Sequence, residues 1–210
     1  MINTTHPDQT YEKAALTRGH RRVVGIDEVG RGPFAGPVVA AAVVLDLTRV
    51  PEGMRDSKKL SAKKRDQLFK TIMDSAEVGV GIAEVGEIDQ LNILQATFLA
   101  MRRAVEALPR RPDFALIDGK LVPPGLNFPA DCLVKGDDRS VSIAAASIVA
   151  KVTRDRIMRA LATDYPGYGW ERNAGYGTLE HREALLSLGV TPHHRVSFKP
   201  IHNILYQEKN

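Results

Sequence analysis

The sequence has a single cysteine and no long apolar run. These two features exclude several kinds of protein. Cys132 is the only cysteine among 210 residues, which excludes an intramolecular disulfide and a zinc site built from several cysteines. The longest run of small and apolar residues, 141–152, is too short to span a bilayer and contains Lys151. Residues 1–10 are polar and lack the apolar core of a signal peptide. We therefore expect a protein of the reducing cytoplasm without a membrane role.

The bulk composition is that of one ordinary globular domain with a modest basic excess. Hydrophobic residues make up 43% of the chain and charged residues 26%, which argues against disorder. The formal charge of +4 allows a polyanionic partner but does not require one. No repeat or linker marks a second domain. We predict a single domain over residues 1–210, with a mobile leader at 1–9 and a loose tail at 201–210.

The pattern of apolar residues predicts a mixed α/β layer structure. Strands are predicted where β-branched residues cluster, and helices where apolar residues recur at helical spacing. The predicted strands cover residues 23–26, 38–45, 78–85, 114–117 and 131–134, the first two as an antiparallel pair. The predicted helices cover residues 11–17, 62–75, 91–108, a long stretch that ends near 162, and 179–188. Strands followed by alternating strands and helices indicate elements packed in layers.

Two adjacent acids follow the first predicted strand. Asp27 and Glu28 stand before a turn that contains Gly30 and Gly32. Neighbouring residues of a regular strand face opposite sides, so both carboxylates reach one site only where the strand ends or twists, which the glycines permit. An exposed loop with solvated acids is the alternative. The apolar strands on both sides favour acids placed inside a sheet, where unpaired charges are costly.

Two later predicted strands also end in acids. Asp118 follows the fourth strand and Asp137 the fifth. Carboxylates gathered from several strand ends suit a pair of Mg²⁺ or Mn²⁺ ions, which prefer oxygen ligands. Asp138 adjoins Asp137 and competes with it. Asp155 is a further rival, but it lies one helical turn after Lys151, and a local ion pair explains it as well. The sequence alone does not show that these acids converge.

The motif around the first acids, together with later motifs, resembles the ribonuclease HII family. The stretch Gly-Ile-Asp-Glu-Val-Gly-Arg-Gly-Pro at 25–33, followed by Ala-Gly-Pro-Val at 35–38, is similar to the family's opening motif. Further similarity lies in Asp-Ser-Lys-Lys-Leu at 56–60, Ser-Ile-Ala-Ala-Ala-Ser-Ile-Val-Ala-Lys-Val-Thr-Arg-Asp at 142–155, and His-His-Arg-Val-Ser-Phe at 193–198. The resemblance spans roughly residues 10–200, which is nearly the whole chain.

This resemblance implies a ribonuclease H-like fold, with a mixed β-sheet flanked by helices and a C-terminal helical segment. It implies an endonuclease that cleaves the RNA strand of RNA–DNA hybrids and nicks duplex DNA on the 5′ side of embedded ribonucleotides. Two Mg²⁺ or Mn²⁺ ions would assist hydrolysis, which leaves 3′-hydroxyl and 5′-phosphate ends. By the resemblance, the catalytic carboxylates are Asp27, Glu28, Asp118 and Asp137, and the first three are metal ligands.

The resemblance also implies a set of substrate contacts. Gly30, Arg31 and Gly32 match the turn that contacts the ribonucleotide, because glycines let backbone groups approach a sugar and arginine can hold a phosphate. Tyr176 matches the tyrosine that stacks on the sugar beside the ribonucleotide, and Lys58 lies in the phosphate-contacting lysine segment. We expect a monomer that acts on hybrids and ribonucleotide-containing DNA without an obligate protein partner.

Two other functions stay open at this point. A non-catalytic binder of RNA–DNA hybrids would share the fold without cleavage, although the intact set of acids argues against it. A different ribonuclease H-like enzyme, such as a resolvase, would prefer branched DNA and ignore the ribose. Residues 193–195, His-His-Arg, are interpreted as a structural or phosphate-proximal cluster and not as a metal site, because no cysteine accompanies them.

Overall fold

The computed structural model describes residues 6–206, and within that range five strands form one mixed sheet. The strands are β1 (Val23–Val29), β2 (Val38–Val44), β3 (Glu77–Ala83), β4 (Phe114–Asp118) and β5 (Ala130–Leu133), in the spatial order β3-β2-β1-β4-β5. β1 pairs antiparallel with β2 and parallel with β4, and β4 pairs parallel with β5. The predicted antiparallel pairing of the first two strands is confirmed.

Helices cover both faces of this sheet. They are α1 (Thr10–Thr17), α2 (Ala62–Ser75), α3 (Val85–Leu91), α4 (Ile93–Glu106), α5 (Val141–Asp164), α6 (Trp170–Asn173), α7 (Leu179–Leu188) and α8 (Lys199–Tyr206). Successive side chains of β2 point to opposite faces of the sheet. Ala40 and Ala42 pack with α4 on one face, whereas Ala41 and Val43 pack with α5 on the other. The predicted mixed sheet, flanking helices and C-terminal helical segment are confirmed. Within residues 6–206, no helix is both long and apolar enough to cross a membrane.

Glycines in the sheet let the central helices approach its backbone closely. A Cβ atom at Gly25 in β1 would lie 2.1 Å from the carbonyl carbon of Ser142 in α5. A Cβ atom at Gly81 in β3 would lie 2.0 Å from the carbonyl oxygen of Ala100 in α4. Because only glycine has no Cβ, these positions fix how near each helix packs. The close approach at Gly25 also places the start of α5 beside β1.

The structure corrects the prediction of one continuous helix over residues 91–108. Asn92 has a left-handed φ of 71°, which ends α3, and its side chain accepts hydrogen bonds from the N–H groups of Leu94 and Gln95 at the start of α4. With a ψ of 163° this backbone conformation is unfavourable for a residue with a Cβ atom, and the side-chain oxygen of Asn92 offsets part of the cost by capping the new helix. The strand predicted at 78–85 also ends early, because Val85 already begins α3.

The two ends of the described chain are held to the body of the protein. The predicted mobile leader covers residues 1–9, and 1–5 lie outside the described residues. Asp8 is bound: its N–H donates to the carbonyl of Arg139, and its carbonyl accepts from the N–H of Val141. The tail predicted to be loose from residue 201 is instead helical up to Tyr206, and Ile201 is buried. Residues 207–210 lie outside the described residues.

Candidate active site

Three of the predicted acids meet at the carboxyl ends of the neighbouring strands β1 and β4. β1 and β4 are parallel neighbours, with Ile26 paired to Ile117, so the acids that follow these residues, Asp27 and Asp118, emerge side by side. Carboxylate oxygens of Asp27, Glu28 and Asp118 lie within 4.8 Å of one another. The structure thus brings together acids that the sequence could only place at separate strand ends.

The two acids at the end of β1 reach the site in different surroundings. Asp27 is buried, and its Oδ1 accepts a hydrogen bond of 2.7 Å from the N–H of Glu28. Oε1 of Glu28 lies 3.4 Å from Nη1 of Arg31. Oε2 of Glu28 is buried and has no hydrogen-bond donor among the described residues. Gly30 follows with a φ of 95°, and this left-handed residue turns the chain just beyond the acids.

Burial and crowding make the ionised carboxylates costly. Burial raises the pKa of Asp27 well above its usual range, and the charges of Glu28, Asp118 and Asp137 raise it further. Burial likewise raises the pKa of Glu28. It also raises the pKa of Asp118, although the N–H of Gly136 donates to Asp118 Oδ1 at 2.7 Å and opposes the rise. The site therefore favours either protons or a positive charge among its acids.

The donor set fits a hard divalent cation. Mg²⁺ and Mn²⁺ sites are built from carboxylate oxygens, and a doubly charged ion would offset the repulsion among neighbouring acids. The buried Oε2 of Glu28, which lacks a protein donor in the described chain, is the kind of oxygen that such an ion satisfies. Asp27, Glu28 and Asp118 are therefore the residues that could hold the metal.

Asp137 lies near this cluster but does not belong to its closest group. It occupies the short 3₁₀ turn Gly136–Asp138, directly before α5. Burial raises the pKa of Asp137 to about 6, and the charges of Asp56, Asp118 and Asp138 add to the rise. Its charge in turn raises the pKa of Asp27. The role of Asp137 as the fourth carboxylate stays a prediction.

The two alternative candidates for the fourth carboxylate, Asp138 and Asp155, form ion pairs with other residues. Asp138 accepts hydrogen bonds of 2.6 and 2.7 Å from Nζ of Lys59. Asp155 accepts from Nζ of Lys151 at 2.7 Å, one helical turn earlier on α5. Asp155 also lies 3.9 Å from a guanidinium nitrogen of Arg65. The local ion pair is thus the observed environment of Asp155.

The predicted substrate-binding turn and tyrosine are neighbours in space. A Cβ atom at Gly32 would lie 3.5 Å from Cε1 of Tyr176, in ordinary van der Waals contact. The N–H of Phe34 donates to the carbonyl of Gly175 at 2.8 Å, which ties the two loops together. Arg31 and Tyr176 are both exposed. Residues far apart in sequence therefore present an open surface next to the acids.

Lys58 lies at the rim of the acidic cluster, in the segment before α2. Burial alone would lower the pKa of Lys58, but the charges of Asp56, Asp27 and Asp137 together raise it. Asp56 received no role from the sequence. Its carboxylate accepts from the N–H of Lys58 at 2.9 Å and so shapes the turn that carries the lysine. Its place in the Asp-Ser-Lys-Lys-Leu motif was the available signal.

Two histidines near the C-terminus, His181 and His194, hydrogen-bond to each other. His194 is buried, and its Nε2 lies 3.0 Å from Nε2 of His181. Nδ1 of His194 accepts from the N–H of Thr191 at 2.9 Å, so the ring proton sits on Nε2. His181 Nδ1 is left to donate to the carbonyl of Tyr176, 3.0 Å away. Burial lowers the pKa of His194 to about 4, and burial also lowers the pKa of His181.

Two arginines, Arg154 and Arg195, are buried beside the glycine turn; the sequence assigned no role to Arg154 and placed Arg195 only in the structural or phosphate-proximal cluster 193–195. Both are fully buried, and their guanidinium groups donate to backbone carbonyls around the glycine turn. Each stands inside a motif quoted above, at 142–155 and 193–198, which was the only signal available. Neither contacts the acids by a hydrogen bond within the described chain.

Comparisons with known proteins agree on one family. The ribonuclease HII family model matches residues 24–201. A ribonuclease HII from Ruegeria pomeroyi is 63% identical over 204 residues, which cover 97% of this chain and 87% of that protein. The crystal structure of the ribonuclease H2 from Pyrococcus horikoshii superposes with a TM-score of 0.72 at 27% identity, covering 90% of this chain and all of that one.

A third comparison concerns the fold alone. The structure of Bst-RNase HIII in complex with Mn²⁺ superposes with a TM-score of 0.74 at 22% identity, covering 96% of this chain and 74% of that protein. These structural neighbours confirm the predicted ribonuclease H-like fold. With the family match covering most of the sequence, the chain belongs to the ribonuclease HII family and is a ribonuclease H, a hydrolase of the nuclease class.

Proposed function

We propose that this ribonuclease H cleaves the RNA strand of RNA–DNA hybrids and nicks duplex DNA on the 5′ side of embedded ribonucleotides. The products would carry 3′-hydroxyl and 5′-phosphate ends. The observation that carries the proposal is the position of the acids. Carboxylate oxygens of Asp27, Glu28 and Asp118 lie within 4.8 Å of one another, and the exposed turn with Arg31 begins directly after them.

Asp27, Glu28 and Asp118 are proposed to hold two Mg²⁺ or Mn²⁺ ions, with Asp137 as the fourth carboxylate of the site. When bound, these ions supply activation of the attacking water and charge stabilisation of the leaving oxygen. The role of these acidic side chains is to hold their carboxylate oxygens in the positions that bind the ions. Burial of Asp27 and the bond from Gly136 N–H to Asp118 hold two carboxylates in place before the metal arrives.

Recognition of the substrate is assigned to the surface beside the acids. In the proposal, backbone groups of Gly30 and Gly32 approach the 2′-hydroxyl that distinguishes RNA from DNA, and Arg31 holds a phosphate. Tyr176 stacks on the neighbouring sugar, and its ring lies near Gly32, 3.5 Å from where a Cβ atom would be, which supports this pairing of roles. Lys58 contacts a phosphate, and the acids around it keep it charged.

The experiment that tests this function uses a DNA duplex with one embedded ribonucleotide. The protein is incubated with it in Mg²⁺, Mn²⁺ or EDTA, and an all-DNA duplex serves as the control. We expect a single nick on the 5′ side of the ribonucleotide, absent with EDTA and absent in the control. Tight binding without a nick would support a non-catalytic hybrid binder instead. Cleavage of branched all-DNA substrates with no dependence on the ribose would indicate a resolvase-like enzyme.

A cytoplasmic, monomeric enzyme without an obligate protein partner is part of the same proposal. The single cysteine supports a reducing compartment, since no disulfide within the chain is possible. Size-exclusion chromatography with light scattering tests the oligomeric state, and one copy per particle is the expected result. A stable dimer would contradict it.

A further inference from the structure

Arg154 is a buried cation whose hydrogen bonds all go to backbone carbonyls in the described chain. It lies in α5 with no exposed surface. Its Nε donates to the carbonyl of Pro37 at 2.9 Å, its Nη2 to that of Ala35 at 3.0 Å, and its Nη1 to that of Ala174 at 2.9 Å. A buried charge is costly, and an apolar side chain of similar size would fill the same volume at lower cost. The guanidinium therefore serves a purpose beyond packing.

The three carbonyls belong to the two loops that carry the proposed substrate contacts. Ala35 and Pro37 lie just after the Gly30–Gly32 turn, while Ala174 lies two residues before Tyr176. The fork of the guanidinium reaches both loops at once, which a single ammonium group on lysine cannot reproduce in the same geometry. Arg154 thus joins the turn and the tyrosine loop from beneath, together with the backbone hydrogen bond from the N–H of Phe34 to the carbonyl of Gly175.

The backbone before Tyr176 needs such a restraint. Ala174 has a left-handed φ of 49°, a conformation that is unfavourable for a residue with a Cβ atom. Its N–H donates to the carbonyl of Trp170 at 3.0 Å, and its carbonyl accepts from Arg154 at 2.9 Å. The strained residue is therefore held on both sides. Loss of the bond from Arg154 would free the carbonyl and let the loop relax away from the turn.

The other buried arginine does not provide this link. Arg195 donates to the carbonyls of Gly30, Arg31 and Gly36, all in the glycine turn and the residues after it. Within the described chain it donates to no residue of the Tyr176 loop. A Cβ atom at Gly30 would lie 2.2 Å from Nε of Arg154, so this arginine also packs directly beneath the turn. Of the two buried arginines, Arg154 is the one that combines contact with the turn and a bond to the tyrosine loop.

We infer that Arg154 is a positioning residue that holds the Tyr176 loop against the Gly30–Gly32 turn and thereby places the tyrosine ring for the sugar beside the ribonucleotide. The inference rests on the proposed function, because it assigns the turn to the ribonucleotide and Tyr176 to the neighbouring sugar. It predicts that Arg154 and Tyr176 act as one unit. The loss of activity caused by a substitution at Arg154 should therefore disappear when the tyrosine ring is already absent.

A double-mutant cycle tests this prediction on the duplex with one ribonucleotide. The variants are Arg154→Lys, Tyr176→Ala and the double variant, and kcat and KM are measured for each in Mn²⁺. We expect Arg154→Lys to lower kcat by about 10- to 100-fold, because misplacement of a positioned group has effects of this size. In the Tyr176→Ala background the same substitution should lower kcat by less than about threefold. Mn²⁺ affinity, measured by calorimetry without nucleic acid, should stay unchanged.

Arg156→Lys is the matched control, because Arg156 lies on the same helix, is partly exposed and pairs with Asp66 at 3.7 Å. It should leave kcat unchanged. Far-UV circular dichroism and the fluorescence of Trp170, the only tryptophan, report whether each variant is folded. If Arg154→Lys does not fold, Arg154→Gln replaces it in the cycle, since it retains a donor without burying an unpaired charge.

The outcomes separate this inference from the proposed function. An inactive wild-type protein would overturn the proposed function, and the inference would fall with it. Suppose that the wild type is active and that Arg154→Lys lowers kcat by the same factor whether or not the Tyr176 ring is present. This result would overturn the inference but not the proposed function. A fall in Mn²⁺ affinity, or failure of both Arg154 variants to fold, would assign the residue to general stability and also overturn it.

Discussion

Arg195 donates a hydrogen bond of 2.5 Å from Nη2 to the carbonyl oxygen of Gly30, which lies 165 positions earlier in the chain. The same guanidinium donates to the carbonyls of Arg31 at 3.0 Å and Gly36 at 2.9 Å. Burial lowers the pKa of Arg195 to about 9, and the charge of Arg154 contributes. Because the carbonyls of the turn are held from within the protein, its shape is set before nucleic acid binds.

Arg195→Lys should destabilise the protein and loosen the turn. Lysine keeps the charge but loses the planar fork, so some of the carbonyls lose their donor in a buried place. We expect the free energy of unfolding, measured in urea, to fall by about 2–4 kcal/mol. The exposed Arg49→Lys is the control and should stay within about 0.5 kcal/mol of the wild type. Equal stability of both variants would show that the fork is dispensable.

Asp118→Asn should abolish turnover while duplex binding is largely retained. The change removes a charge from the proposed metal site but keeps Oδ1 as an acceptor for the N–H of Gly136. We expect the rate of nicking to fall by at least about 10³-fold, as for other central catalytic groups. Asp131→Asn, at an exposed pair with Arg18, is the control and should be active. Retained activity of Asp118→Asn would remove this residue from the site.

The same Asp118→Asn variant should be more stable than the wild type when metal is absent. Burial raises the pKa of Asp118, so its ionised form is disfavoured in the folded protein at neutral pH. Asparagine removes that cost and the repulsion of Asp27 and Glu28. Thermal unfolding in EDTA at pH 7 should show a higher midpoint for the variant. A lower midpoint would indicate that the carboxylate contributes to the fold even without a metal.

The buried His194 should make stability fall as the solution becomes acidic. Burial, followed by the charge of His181, lowers the pKa of His194 to about 4, whereas in the unfolded chain it takes up a proton near pH 6.5. Its contribution is therefore complete above about pH 6.5 and is lost as the pH falls towards about 4. His194→Gln should weaken this dependence in urea unfolding between those values. The exposed His202→Gln should leave it unchanged, and an unaltered profile for His194→Gln would contradict the assignment.

Gly25→Ala should show how closely α5 packs on the sheet. The new Cβ would lie 2.1 Å from the carbonyl carbon of Ser142, and backbone atoms in a packed core cannot move aside cheaply. We expect a loss of about 2–3 kcal/mol in the free energy of unfolding, as for overpacked cores. Gly86→Ala in α3 meets no atom within 4 Å and should stabilise the protein slightly. Equal behaviour of the two variants would contradict this packing argument.

Features that depend on neighbouring residues were predictable from the sequence. The helix at 62–75 has the predicted bounds, because Ser61 caps it and apolar residues follow at helical spacing. The strands that carry the acids were found in the same way, since β-branched residues mark a strand wherever it lies, but β1 continues past the predicted end at residue 26 through Asp27 and Glu28 to Val29. The prediction of one helix over 91–108 was wrong because Asn92, with a positive φ, divides it, and the presence of an asparagine does not by itself predict that backbone conformation.

The sequence by itself determined which chemistry is available: carboxylates at Asp27, Glu28 and Asp118 after apolar strands, and glycines in the turn that follows the first pair. Only the tertiary structure decided that the acids converge, because the parallel pairing of β1 with β4 brings Ile26 beside Ile117, 91 positions later in the chain. It also decided the partners of Arg154 and Arg195. Those partners are backbone carbonyls, which every residue carries, so no pattern of side chains could have revealed them.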